Sequence, residues 1–349
     1  MILDRVVAAY RATGADLPWG DPVRAHGVAM EGYFWRFTDP ERSRVVIALI
    51  GVNRGPRGPW STVALAGSDG FLRTAAVRGG LADPVAGASV GSVFAADDRT
   101  VRVDLGPGAR MDLRLEAVVP WPGRVFGGSS GFQLVPGLNQ YWHPWLLGGR
   151  ATGEVVLGES VWRLDGAQVY AEKNWGREGF PDRWWWGQAH GFAEHDACVA
   201  FAGGQVRAGP VATTVTALVV RLPDGRVLRL GNPVSSPVVA RVGGGGWLLS
   251  GRARGRGWRV DLEAQAPYAT AHVLPVPLPS EDRQVPGAVE HLTGTMRVRV
   301  SRGDRTVWSG ESRLAGLEEG GFELAAREMA GRNADAAATG AGPRGSGVV

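Results

Sequence analysis

The sequence predicts an all-β fold, built as two β-barrel or β-sandwich halves with a short N-terminal helix. Three observations predict it. Short segments that alternate or run apolar recur from about Met30 onward. Turn pairs such as Asp69-Gly70, Asp165-Gly166 and Asp224-Gly225 separate them. Helical spacing is nearly absent after the first residues, and the 349-residue length suits two β units better than one.

The elements follow in order. Ile2, Leu3, Val6, Val7 and Tyr10 recur at helical spacing, so residues 1–24 read as an amphipathic helix and a linker. Such a helix caps a domain or lies on a membrane surface. Residues 25–165 form the first half, with Glu31–Phe37, Arg44–Val52, Thr100–Leu105, Arg110–Val118 and Glu154–Leu157 among its strands. Residues 166–324 form the second, with Val169–Asn174, Trp184–Phe192, Ala197–Ala202, Val211–Arg221 and Gly294–Val300. From 325 to 349 Ala, Gly and Arg dominate, which predicts a disordered tail beyond a short helix.

Composition removes several classes of function. The 38 Lys and Arg residues are interleaved with 34 Asp and Glu, a net charge of +4, so the clustered cations of a nucleic-acid binder are missing. The single cysteine, Cys198, excludes a disulfide framework and a multi-cysteine metal site. Apolar runs such as Val45–Val52 fall far short of the roughly 20 residues a bilayer span needs. Met1–Arg5 lacks the pattern of a secretory signal. A cytoplasmic chain is expected, with the first helix as a candidate for peripheral membrane contact.

The residues that carry chemistry are concentrated. Eight of the 14 Trp lie between Trp121 and Trp186, together with Lys173, the one Lys in the chain. Lys offers a compact charge with a readily shifted pKa, which Arg does not. Strand alternation sorts this region by face. Glu172 and Asn174 share one face, and Lys173 and Trp175 the other. Trp184, Trp186, Gln188, His190 and Phe192 share a face suited to a cavity wall. Glu31, Tyr33, Trp35 and Phe37 share another. His190–His195 has the wrong spacing for a zinc-protease helix, Gly127–Gly131 lacks the context of a nucleophile elbow, and Gly243–Gly246 is followed by no phosphate-loop Lys.

Tyr170–Gly176, Gly179-Phe180-Pro181, the aromatic run Trp184–Trp186 and Gln188 together resemble the signature of the tocopherol cyclase family. Glu31–Phe37, Tyr141–Trp145 with Leu146–Gly149, Gly294–Val300 and Leu314–Gly321 are similar to its flanking blocks. The chain departs from plant members in carrying Gly320-Gly321-Phe322 without a following Pro-Trp, and in carrying His143-Pro144 in the middle block. The resemblance implies a lipocalin-like fold in two parts, related to carotenoid hydratases. It also implies closure of a chromanol ring from a prenylated benzoquinol: an alkene is protonated and an oxygen captures the tertiary cation. Hydration of a carotenoid or other isoprenoid, and non-catalytic carriage of an isoprenoid, are the alternatives. The partner in each case is a hydrophobic small molecule. No metal or redox cofactor is expected, because neither cyclisation nor hydration changes oxidation state.

That chemistry needs a carboxylic acid kept out of water, since burial disfavours its charged form. Glu172 is the first candidate and Glu31 the second. Trp175, Trp184 and Trp186 can stabilise a cation with their ring faces. Asn174, Gln188, His143 and Lys173 can orient a hydroxyl, and Trp145 completes the aromatic wall. Lys173→Arg is expected to be mild if Lys173 serves only an ion pair.

Overall fold

The computed structural model describes residues 2–12, 18–19, 28–122, 126–135, 137–177, 179–208 and 211–339. The first helix, α1, spans Ile2–Ala12 and sets Tyr10 and Arg11 against the ring of Phe126. Most of the expected linker at 13–24 and the tail beyond 339 lie outside the described residues.

An 11-stranded antiparallel sheet follows. Its strands are β1 (Met30–Asp39), β2 (Arg44–Gly55), β3 (Gly58–Gly67), β4 (Leu72–Arg78), β5 (Leu81–Asp83), β6 (Gly87–Val90), β7 (Phe94–Ala96), β8 (Thr100–Asp104), β9 (Ala109–Pro120), β10 (Tyr141–Leu157) and β11 (Ser160–Gly176). They lie in the order β4-β3-β2-β1-β11-β10-β9-β8-β7-β6-β5. The two end strands, β4 and β5, are joined by Gly79 and Gly80 alone, so the sheet curls until its ends approach. No ladder joins them among the described residues, and where the sequence suggests a β-barrel or β-sandwich half the sheet is a curled half-barrel.

The second sheet holds β12 (Trp184–Ala189), β13 (Cys198–Ala208), β14 (Val211–Arg221), β15 (Val227–Leu230), β16 (Val238–Gly243), β17 (Gly246–Ala253), β18 (Trp258–Gln265), β19 (His272–Leu278), β20 (Arg283–Arg302) and β21 (Arg305–Gly320). Its order is β15-β14-β13-β12-β21-β20-β18-β17-β16, with β19 also on β20, and it is open. The chain changes sheet between Gly176 and Trp184, later than the expected 165/166. The reason is that β11 runs through that point and stays paired with β1 up to Met30–Gly176. A second helix, α2 (Phe322–Thr339), begins ahead of the expected tail. Arg332 ties it to the carbonyls of Ala271 and Tyr268 at 2.6 and 3.3 Å.

Alternation along the strands builds three cores. Tyr33, Trp35 and Phe37 of β1 fill the concave side of the first sheet with Val46, Phe94 and Trp145. Trp185, Phe201 and Trp247 fill the second sheet's own core. Between the sheets, Ile47, Tyr170 and Trp142 from the first meet Trp184, Trp186 and Leu292 from the second. The site lies in this third layer.

Candidate active site

β11 presents Tyr170, Glu172 and Asn174 toward the second sheet, while Lys173 and Trp175 point the other way. One oxygen of Glu172, Oε2, accepts three hydrogen bonds: from Tyr170 Oη at 2.5 Å, Trp142 Nε1 at 2.8 Å and Trp186 Nε1 at 2.8 Å. Trp186 reaches across from β12, so this carboxyl is assembled from both sheets. Burial pushes the Glu172 pKa up to about 7, against the three donors, which favour the charged form. The donors concentrate on Oε2, which leaves Oε1 to carry the proton of the neutral acid.

Two further carboxyls stand nearby. Glu290 of β20 and Glu318 of β21 are direct register partners. Trp184 Nε1 donates to Glu318 Oε1. Burial pushes Glu318 up to about 7, and the negative charge of Glu172 adds to the shift. Burial together with Glu318 holds Glu290 well above the usual carboxylate range, opposed by the charge of Arg36. Arg36 is fully buried on the face of β1 opposite Trp35. It donates to Thr38 Oγ1 at 2.8 Å, Gln188 Oε1 at 3.0 Å, and the carbonyls of Leu292 and Leu314 at 2.8 and 2.5 Å.

Glu172, Glu290 and Glu318 border a cavity of about 490 Å³ between the sheets, a volume within the ~300–1,000 Å³ of small-molecule sites. Phe34, Leu49, Trp142, Trp184, Trp186 and Leu274 give it apolar walls, and Glu172, Asn174, Glu290 and Glu318 converge on it. Asn174 Oδ1 is buried there with no hydrogen-bond partner.

The structure brings together Glu172, Asn174, Trp184 and Trp186 of the residues the sequence singled out. Gln188 stands one step behind them, accepting from Arg36. The others lie elsewhere. Glu31 points into the first core, paired with Arg54 at 2.9 Å. Lys173 sits on that same side, its Nζ 4.9 Å from the Trp175 ring centre. His143 is buried beside Trp121, and burial with the nearby Lys173 charge pulls its pKa down to about 3. Trp145 packs among Trp19, Tyr33 and Trp35, and Trp175 stacks on Tyr141. The sequence reading missed Glu290, Glu318, Arg36 and Trp142. The available signal was a carboxyl inside an apolar strand, Ala288-Val289-Glu290, and the paired Glu318-Glu319 after Leu317.

The burial of Lys173 changes the expected result of Lys173→Arg. Its side chain is fully enclosed, so the larger guanidinium overpacks the site whatever the charge does there. The variant is expected to lose about 1–3 kcal/mol of stability, measured by urea denaturation. An unchanged midpoint would show that the site has room.

A family model described as Tocopherol cyclase-like matches residues 131–321, more than half of the chain. Kievitone hydratase from Nectria haematococca has a similar structure, with a TM-score of 0.52, 11% identity, and coverage of 88% of this chain and 92% of that one. The crystal structure of CghA is also similar, with a TM-score of 0.50, 14% identity, and coverage of 84% and 88%. These likenesses establish a shared fold. Comparison with curated proteins gives no match. The family match covers the strands that carry Glu172, Trp186, Glu290 and Glu318, and the chain belongs to the tocopherol cyclase-like family.

Proposed function

We propose that this protein is an enzyme that adds an oxygen nucleophile to an alkene of an isoprenoid held between its two sheets, with hydration as the leading reaction. The observation that carries this reading is the Glu172 carboxyl, buried in an apolar cavity with three donors on a single oxygen. Burial keeps the group protonated near neutral pH, and the donors stabilise its conjugate base once the proton leaves. A trisubstituted alkene protonated by Glu172 becomes a tertiary cation. The indoles of Trp184 and Trp186 are among the aromatic groups at hand to stabilise it, each worth about 0.5–2 kcal/mol. Water then captures the cation and gives a tertiary alcohol. The family is named for a cyclase and one structural relative for a hydratase, and both chemistries start from this protonation.

Ring closure is the second reading, in which a quinol hydroxyl of the substrate itself captures the cation. Asn174 favours it, because its unpartnered Oδ1 in the cavity can accept an O–H and fix a ring.

The test is direct. Purified protein is incubated with an acyclic polyene isoprenoid and, separately, with a prenylated benzoquinol, and the products are separated by chromatography. A tertiary alcohol from either substrate is the expected result. A chromanol from the quinol selects the ring-closing reading. Tight binding of both compounds with no product would overturn catalysis and leave a carrier.

A further inference from the structure

Two carboxyls in the cavity wall take no part in alkene protonation by Glu172. Glu290 and Glu318 face each other in direct register on β20 and β21, where paired Cβ atoms are roughly 5 Å apart. Both line the cavity from the side opposite β11. Glu318 accepts from Trp184 Nε1. Glu290 is 1% exposed and its Oε1 has no hydrogen-bond partner. Two unsolvated carboxyls this close cannot both ionise. The cation that faces them is the guanidinium of Arg36, reaching over from β1, and the third carboxyl of the site is Glu172 on β11. One guanidinium balances one negative charge, so the pair holds one proton between two carboxyls.

We propose that Glu290 and Glu318 are a proton-sharing pair that takes the proton of the oxygen nucleophile, a role that presupposes the acid-catalysed addition proposed above. The two sheets then divide the work: β11 supplies the acid and β20–β21 the base. The alkene π pair forms a C–H bond with the proton of Glu172, leaving a tertiary cation and the Glu172 carboxylate. A lone pair of the hydroxyl or water forms the C–O bond. The O–H bond breaks, and its proton passes to the free carboxylate of the pair, which then holds two protons. One returns to Glu172 through water entering as product leaves, and nothing is oxidised or reduced. The mostly apolar wall offers few acceptors for the proton of the new oxonium, and the carboxylates of the pair are acceptors built into it. Glu318 is the accepting member. The donor from Trp184 stabilises its charge, while Glu290, without such a donor, keeps the shared proton.

The test follows a prenylated benzoquinol in D2O with the full-length protein. Wild type is expected to give product carrying one carbon-bound deuterium. Glu318→Gln is expected to lower kcat about 100-fold at unchanged KM. Its recovered substrate should still gain deuterium, since the cation forms and collapses back by losing a proton. Glu290→Gln can donate its amide N–H to Glu318 but shares no proton with it, and a loss of about tenfold is expected with exchange retained. Melting curves confirm that both variants fold, and the isosteric changes favour this. Wild-type kcat in both variants overturns the pair while leaving Glu172 as the acid. Loss of deuterium exchange together with product in Glu318→Gln also overturns it, because the pair would then act in protonation. Absence of both product and exchange in wild type overturns the acid-catalysis reading and the pair with it.

Discussion

Glu172→Gln is expected to reduce turnover by at least ~10³-fold while leaving substrate affinity within a fewfold of wild type. The amide keeps the shape of the side chain and can still accept from Trp142, Trp186 and Tyr170, so the cavity wall is preserved. It cannot give a proton to carbon. The same variant has a second signature in stability. The Glu172 pKa is about 7 in the folded protein against an ordinary value of 4.5. Between these values the folded state binds more protons than the unfolded chain, so stability declines as pH rises from about 4.5 to about 7. The full deficit, about 3 kcal/mol, is present above that window. Glu318 and Glu290 are shifted in the same direction and add to the slope. Glu172→Gln should therefore flatten the dependence of melting temperature on pH and melt higher than wild type at pH 8. Turnover of the wild type should fall as pH rises above about 7, where Glu172 loses its proton, and fall again at lower pH, where the Glu290–Glu318 pair takes up its second proton and can no longer act as base. Undiminished activity in the variant would move the acid to another residue. An unchanged pH profile of stability would show that the carboxyl is ionised in the folded state.

The expected faces of β11 and β12 match the structure because alternation is a local property. Glu172 with Asn174, and Trp184 with Trp186, share the sides that the sequence assigns them. Phe192 does not stay with them, because β12 ends at Ala189 and the chain turns Phe192 onto Trp308 in the second core. What alternation cannot reveal is which layer each face meets. Glu31 and Glu172 have similar aromatic neighbours along the chain, yet the odd positions of β1 fill the concave core and the even positions face the second sheet. That difference sends Glu31 to Arg54 and Arg36 to Gln188, a partner 152 residues away. Glu290 and Glu318 meet Glu172 only because the sheets stack, and no short-range pattern encodes a cavity formed between sheets. The rarity of Lys173 was legible, but its side chain faces away from the cavity.

Arg36→Met is expected to destabilise the fold by about 3–5 kcal/mol, the usual cost of removing one partner from a buried charged network. Methionine fills much of the space, so the loss is not mainly one of packing. The carbonyls of Leu292 and Leu314 each lose a donor, and so does Gln188 Oε1. Each orphaned group costs about 1–3 kcal/mol when no water can replace the donor. The guanidinium joins β1 of the first sheet to β12, β20 and β21 of the second, so the variant should weaken the contact between sheets first. Denaturant unfolding monitored by Trp fluorescence is the measurement, and a midpoint shift equivalent to less than about 1 kcal/mol would show that the network is dispensable. Arg36→Lys should recover little, because one ammonium with three protons cannot span acceptors that the guanidinium reaches on both its terminal nitrogens. A chemical consequence separates this residue from a merely structural strut. Without the cation, nothing balances a negative charge on Glu290 and Glu318, and both carboxyls take up a proton at neutral pH. Whatever fraction of Arg36→Met folds should then bind substrate and exchange deuterium into it, yet release product as slowly as Glu318→Gln.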